Sequence, residues 1–337
     1  MRIALVLLAI GLVNAQSLES KADAAAKQND VMGSVLVAKG GKVLLKKGYG
    51  MANVELEVPN APNTKFRLGS ITKQFTATAI MQLASQGKLK PEDPVSKYVD
   101  APPAWKDITI HHLLTHTSGI PNFTAFSDYQ DKQREHITPA QLMARFKDKP
   151  LDFTPGSKYN YSNSAYEVLG VIIEKVSGES YEAYVKNHIF NPLDMNDSGY
   201  DHDTEILPHR AAGYEKGKDG KLHNAAWIDM SIPYSAGSLY STVEDLYRWD
   251  RALYTEKILN AESKQKMFTP FLNNYGYGFI IRGSGPDLSI SHSGGVNGFA
   301  TMIQRFPNQD AVIIVLTNGV GVRQMTSALN EALFEKK

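Results

Sequence analysis

The stretch FRLGSITKQF, Phe66 to Phe75, puts a serine at the head of an apolar run and a lysine three residues later. Ile71, Phe75, Ala79 and Leu83 recur every four residues and Gly87 stops the run, so the spacing predicts a helix starting at Ser70. On such a helix Ser70 and Lys73 share one face, a turn apart. The residues alone leave two readings open. Ser70 is an N-cap beside a solvated first-turn lysine, or it is a nucleophile beside its base. The second reading needs a neutral Lys73 near pH 7, which costs on the order of 4–5 kcal/mol. Burial and the positive end of the helix dipole act in that direction, and the free N–H groups of a helix start suit an oxyanion.

On the N-terminal side, GSVLVAKGGKVLLKKGYG reads as two strands around the Gly40-Gly41 turn. From Ser70 to about Asp250 the pattern is mostly helical. Strand patterns return in YGYGFIIRG, DLSISHSGG, ATMIQRFP and AVIIVLTNG, and a helix over about 322–334 closes the chain. The expected fold class is therefore α/β of the α+β type. One mainly antiparallel sheet, built from both chain ends and flanked by helices, accepts an inserted, mostly helical domain. The expected sheet portion is about 16–65 plus 250–337, and the helical portion about 66–249.

The 337 residues are 42% hydrophobic and 21% charged with a net charge of +1, the balance of a soluble globular protein with no basic field for nucleic acid. MRIALVLLAIGLVNAQS reads as a signal peptide cleaved after Ala15: Arg2, a short apolar core, then a small-residue site. No other segment has a membrane-spanning apolar length, so the expectation is an exported protein, periplasmic or secreted, without a stable membrane anchor. The absence of cysteine excludes disulfides, thiolate metal sites, a cysteine nucleophile and a lipid-modified cysteine.

Two further stretches carry chemistry. YNYSNSAYEVLG places Tyr161, Ser162 and Asn163 just before a helix, where a tyrosine beside a lysine can have a lowered phenol pKa and shuttle protons. SISHSGGVNGF places His292, Ser293, Gly294 and Gly295 at a strand end, where glycine lets a substrate lie close and the Gly295 N–H can face its carbonyl. Each also reads as a cap or a bulge. His112 and His116 stand at i and i+4 beside His111, but no third ligand has supporting spacing, so no metal is expected. Neither a phosphate loop nor a dinucleotide fingerprint is present, and no cofactor is expected.

In order, Ser70-Ile71-Thr72-Lys73, Tyr161-Ser162-Asn163 and His292-Ser293-Gly294 resemble the serine β-lactamase and D,D-peptidase (penicillin-binding protein) superfamily. The tyrosine-bearing second motif is similar to the class C β-lactamase-like branch, with its D-alanyl-D-alanine carboxypeptidases and carboxylesterases. HTSGIP, PGSKYNYSN, AGSLYSTVEDL and HSGGVNGF extend the likeness over roughly Ser34 to Phe334. The resemblance implies a β-lactamase/transpeptidase-like fold and a small-molecule substrate. It implies Ser70 as acylated nucleophile, with Lys73 and Tyr161 managing its proton and that of the leaving group. It also implies Asn163 at the acyl side chain, His292, Ser293 and Gly294 at the substrate, and the N–H groups of Ser70 and Gly295 as oxyanion hole.

One departure matters. His292 stands where class C β-lactamases typically keep lysine, and a histidine of ordinary pKa is mostly neutral at pH 7. The carboxylate of a penicillin or D-Ala-D-Ala peptide would be held less strongly, and turnover of anionic substrates should fall between about pH 6 and 8 more than turnover of neutral ones. The expected function is an exported serine hydrolase of β-lactams or D-amino-acid peptides, with a carboxylesterase using the same Ser-Lys-Tyr machinery as the alternative. A non-catalytic binding protein of the same fold is the third reading. Tyr275, Tyr277 and Phe299 fit either an apolar acyl pocket or the core.

Overall fold

A computed structural model describes residues 17–335. The signal-peptide reading of residues 1–15 lies outside them. A helix over residues 17–28 (α1) leads into the hairpin β1 (Gly33–Lys39) and β2 (Lys42–Tyr49). Next come α2 (Thr72–Ser85), the short α3 (Ile110–Leu114), α4 (Asn163–Ser177) and the single turn α5 (Tyr234–Gly237). The chain then returns to the sheet with β3 (Ile280–Arg282), β4 (Ser289–Val296), β5 (Phe299–Phe306) and β6 (Ala311–Thr317), and ends in α6 (Val322–Phe334).

These six strands form one antiparallel sheet in the order β3-β4-β5-β6-β1-β2. The two chain ends meet between β6 and β1, with Val35 opposite Val315. Alternation along the strands assigns the two faces. Val35, Val37, Ile313 and Val315 pack with Leu18, Ala22, Met325 and Leu329 of α1 and α6. Leu36, Ala38, Ile314 and Leu316 join the larger core around α2 and α4. Covered on both sides, β6 is buried at every position and reads as the continuous apolar run AVIIVLT.

Between sheet and outer helices, α2 is buried from Thr72 to Leu83. Phe75 packs its ring against Phe190 and Trp249. α4 begins with the Ser162 hydroxyl capping the Ala165 amide and ends at Gly178 in the left-handed conformation. The cleft lies where the start of α2, the start of α4 and the end of β4 converge.

Candidate active site

The α-helix starts at Thr72, two residues later than the spacing predicts, because Gly69 takes a positive φ of 54° and Ser70 sits in a tight 3₁₀ turn, Gly69–Ile71. No side chain caps either element, so the capping reading of Ser70 falls away. Lys73, in the first turn of α2, is fully buried. Its Nζ lies 2.8 Å from Asn163 Oδ1, 2.9 Å from the Ala236 carbonyl oxygen and 3.1 Å from Ser70 Oγ. The first two partners only accept hydrogen bonds. A neutral amine therefore spends its two hydrogens on Asn163 and Ala236, and its lone pair points to the Ser70 hydroxyl. Burial pushes the Lys73 ammonium down to about 7, against the opposing pull of Glu167.

Asn163, the first residue of α4, is held in turn. Its backbone amide donates to Asn122 Oδ1 at 3.0 Å, and its side-chain amide donates to Thr124 Oγ1 at 3.1 Å. Its polar atoms orient Lys73, which is a different task from the acyl-side-chain contact that the resemblance implies. Ser162 is a structural cap whose hydroxyl donates to the Ile120 carbonyl at 3.0 Å. The Tyr161 ring lies 4.8 Å from Lys73 Nζ, and its hydroxyl is buried without a hydrogen-bond partner. Ser70 is the polar side chain facing that hydroxyl. The expected lowering of its pKa is reversed: burial raises the phenol, against the opposing pull of the Ser70 hydroxyl. Tyr161 is therefore a protonated hydroxyl.

The opposite wall is β4. Its backbone touches the Ser70 turn so closely that a Cβ on Gly69 would lie 2.6 Å from the Gly295 amide nitrogen, and one on Gly294 would lie 1.9 Å from the Leu68 carbonyl oxygen. Glycine at both positions lets the two chains touch and brings the Gly295 amide to the Ser70 turn. Ser293 is exposed beside them. His292 points the other way, into the protein, and is 3% exposed. Its Nδ1 lies 2.6 Å from the Ser293 carbonyl oxygen, so Nδ1 carries the hydrogen, and Nε2 accepts from the Tyr275 hydroxyl at 2.8 Å. Burial and the neighbouring Lys73 push the imidazole down to about 3. Both ring nitrogens of His292 are thus hydrogen-bonded within the protein, and its burial favours a neutral ring that braces the wall over one that meets a carboxylate.

A cleft of about 180 Å³ opens at Ser70, lined among others by Phe123, Tyr129, Ile228, Val296 and Asn297. No charged side chain is among the described residues lining it. Tyr275, Tyr277 and Phe299 are buried and do not line it, so they belong to the core. A larger cavity of about 750 Å³ lies against α1, next to Ala26, Met32 and Val320, and holds none of these groups.

Three distant segments thus place a hydroxyl, an amine, a phenol and a backbone amide around one cleft. A family model described as Beta-lactamase matches residues 19–335. The chain belongs to the β-lactamase family. Within this superfamily, penicillin-binding protein 4* of Bacillus subtilis is 32% identical over 308 residues, spanning 85% of this chain and 68% of that one. The crystal structure of a penicillin-binding protein from Bacillus halodurans aligns with a TM-score of 0.84 at 30% identity, covering 94% of this chain and 100% of that one. A D-stereospecific amidohydrolase from Streptomyces sp. aligns with a TM-score of 0.79 at 26% identity, over 96% and 98% of the two chains. The fold is the β-lactamase/transpeptidase-like architecture that the motif order implied.

Several residues at this β-lactamase-family cleft were not legible beforehand. Glu167, one turn after Asn163 on α4, is 1% exposed with neither carboxyl oxygen hydrogen-bonded. Burial raises its carboxyl well above the usual range, while Lys73 pulls it the other way. Its position among apolar residues of α4, VLGVII just beyond it, was the available signal. Phe123, in a 3₁₀ turn, Tyr129, opening a one-turn helix, and Ile228, in a loop, approach Ser70 only through tertiary structure.

Proposed function

We propose that the chain is a serine hydrolase that forms an acyl-enzyme through Ser70, acting on β-lactam or D-amino-acid-type substrates. The observation that supports this most is the hydrogen-bond set of Lys73, which leaves one lone pair and aims it at Ser70. In this reading Lys73 takes the Ser70 proton as Oγ attacks the substrate carbonyl. The Ser70 and Gly295 amides hold the oxyanion. Tyr161 donates its hydroxyl proton to the leaving group as the carbonyl bond breaks, and Lys73 restores that proton to Tyr161. Water then hydrolyses the ester, with the same groups acting in reverse. The relatives named for penicillin binding and for D-stereospecific amide hydrolysis support the substrate class. The same reading has the protein exported after removal of residues 1–15. A binding module would gain nothing from a desolvated lysine, which argues against the non-catalytic reading.

One observation favours the second reading, a carboxylesterase. The cleft residues carry no charge, and His292 is buried and neutral, so neutral esters and amides fit better than substrates with a free carboxylate. Intact-mass spectrometry after exposure to a fluorescent penicillin and to a short p-nitrophenyl ester tests both. A Ser70-dependent penicilloyl adduct supports the first substrate class; ester turnover without labelling supports the second. Turnover of comparable size in Ser70→Ala overturns the mechanism.

A further inference from the structure

His116 enters no step described above, yet it is built into the turn that presents Tyr161. It adopts a positive φ of 57°, a conformation in which asparagine, aspartate and histidine are enriched. Its carbonyl oxygen accepts from the Asn160 amide at 2.9 Å, and its Nδ1 accepts from the Ser162 amide at 3.2 Å. Between those two bonds, its ring lies on the Tyr161 ring, with centroids 4.2 Å apart and planes at 37°. One residue therefore grips 160, 161 and 162 by backbone, ring face and ring nitrogen.

The grip also fixes the tautomer. Nδ1 accepts a hydrogen bond and so is bare, which puts the hydrogen on Nε2. Nε2 is buried with no hydrogen-bond partner among the described groups. Burial, with Lys73 and His292 nearby, keeps the ring from gaining a second proton. An apolar ring would fill the space without stranding an N–H, so packing alone does not account for an imidazole here. The acceptor at Nδ1 does. We propose that His116 is a positioning residue that holds the Tyr161 hydroxyl on the leaving-group side of Ser70. The proposal rests on the reading of Tyr161 as the leaving group's proton donor.

The test compares two neutral esters of one acyl group, a p-nitrophenyl ester and an alkyl ester. The alkyl leaving group depends far more on a donated proton. Tyr161→Phe should lose at least tenfold more rate on the alkyl ester than on the p-nitrophenyl ester; equal losses overturn the role of Tyr161 and this proposal with it. His116→Phe keeps a ring but removes the acceptor, and should show about a tenfold selective loss on the alkyl ester. His116→Asn retains an acceptor and tolerates the positive φ, and should lose less. In a Tyr161→Phe background, His116→Phe should add no further selectivity. Equal losses on the two esters in His116→Phe, with Tyr161→Phe selective, overturn the proposal alone. If His116→Phe does not fold, the ¹⁵N shifts of the wild-type ring decide. A bare Nδ1 with a protonated Nε2 supports the proposal; the opposite tautomer, or a charged ring at neutral pH, overturns it.

Discussion

Lys73 and His292 face the same catalytic region from opposite sides. Both are nitrogen bases, both are buried, and burial is the first cause of the lowered pKa of each. They differ in their partners. Lys73 has two partners that accept and one hydroxyl that can give. His292 has a carbonyl that takes its hydrogen and a phenol that fills its lone pair. Desolvation makes a base neutral; the chemistry of its neighbours decides whether the neutral base reacts or merely braces the wall. That distinction can be broken at either end.

The largest effect should come from Lys73. Lys73→Met removes the lone pair at little cost in packing and should lower kcat/KM for a p-nitrophenyl ester by about a thousandfold or more. A loss below tenfold in a folded variant would erase the contrast with His292. Next comes the backbone contact that holds the two walls together. In Gly294→Ala the new Cβ meets the Leu68 carbonyl, so β4 must retreat from Ser70, and kcat should fall by about a hundredfold. Ordinary kcat in that variant would show that the walls need not touch.

The pH profile then separates the two bases. Lys73 must be neutral to act, and with its pKa near 7 the rate on a neutral ester should fall about tenfold per pH unit below that point and level off above it. Anionic and neutral substrates should share this profile between pH 6 and 8. A limb seen with the anionic substrate alone would return His292 to a charged role. The smallest effect is on stability. His292 titrates at about 3 when folded, below its ordinary 6.5, so the unfolded chain takes up the proton first as pH falls. Stability held above pH 6.5 should be lost progressively towards pH 3, by about 2–4 kcal/mol from this group. His292→Gln should flatten the fall in Tm over that range by a few degrees; an unchanged slope would mean the ring is not desolvated.

Much of this contrast was written locally, and part of it was not. The sheet from both ends follows from short apolar runs such as AVIIVLT, and α2 from the four-residue spacing of Ile71, Phe75, Ala79 and Leu83. Ser70 and Lys73 follow from their own spacing, because three residues of helix set their geometry. The direction of His292 does not. On a strand the side chains alternate, so its face depends on which neighbour of β4 counts as outside, and that is set by pairing with β5 and by Tyr275, 17 residues away. The raised phenol of Tyr161 follows from burial, which its sequence neighbours do not reveal. Glu167 and His116 lie in runs that look like ordinary core and cap, and only contacts with residues more than 40 positions away separate them from it.

The contact between the Gly69 turn and Gly295 has a further consequence. Main chain, rather than side chain, meets across the gap in which bonds are made and broken, so side chains at Gly69 and Gly294 are barred by collision while the rim stays free. Retuning such a catalyst for a new molecule therefore means repainting the rim at Phe123, Ile228 and Val296, with the reaction itself carried along unaltered.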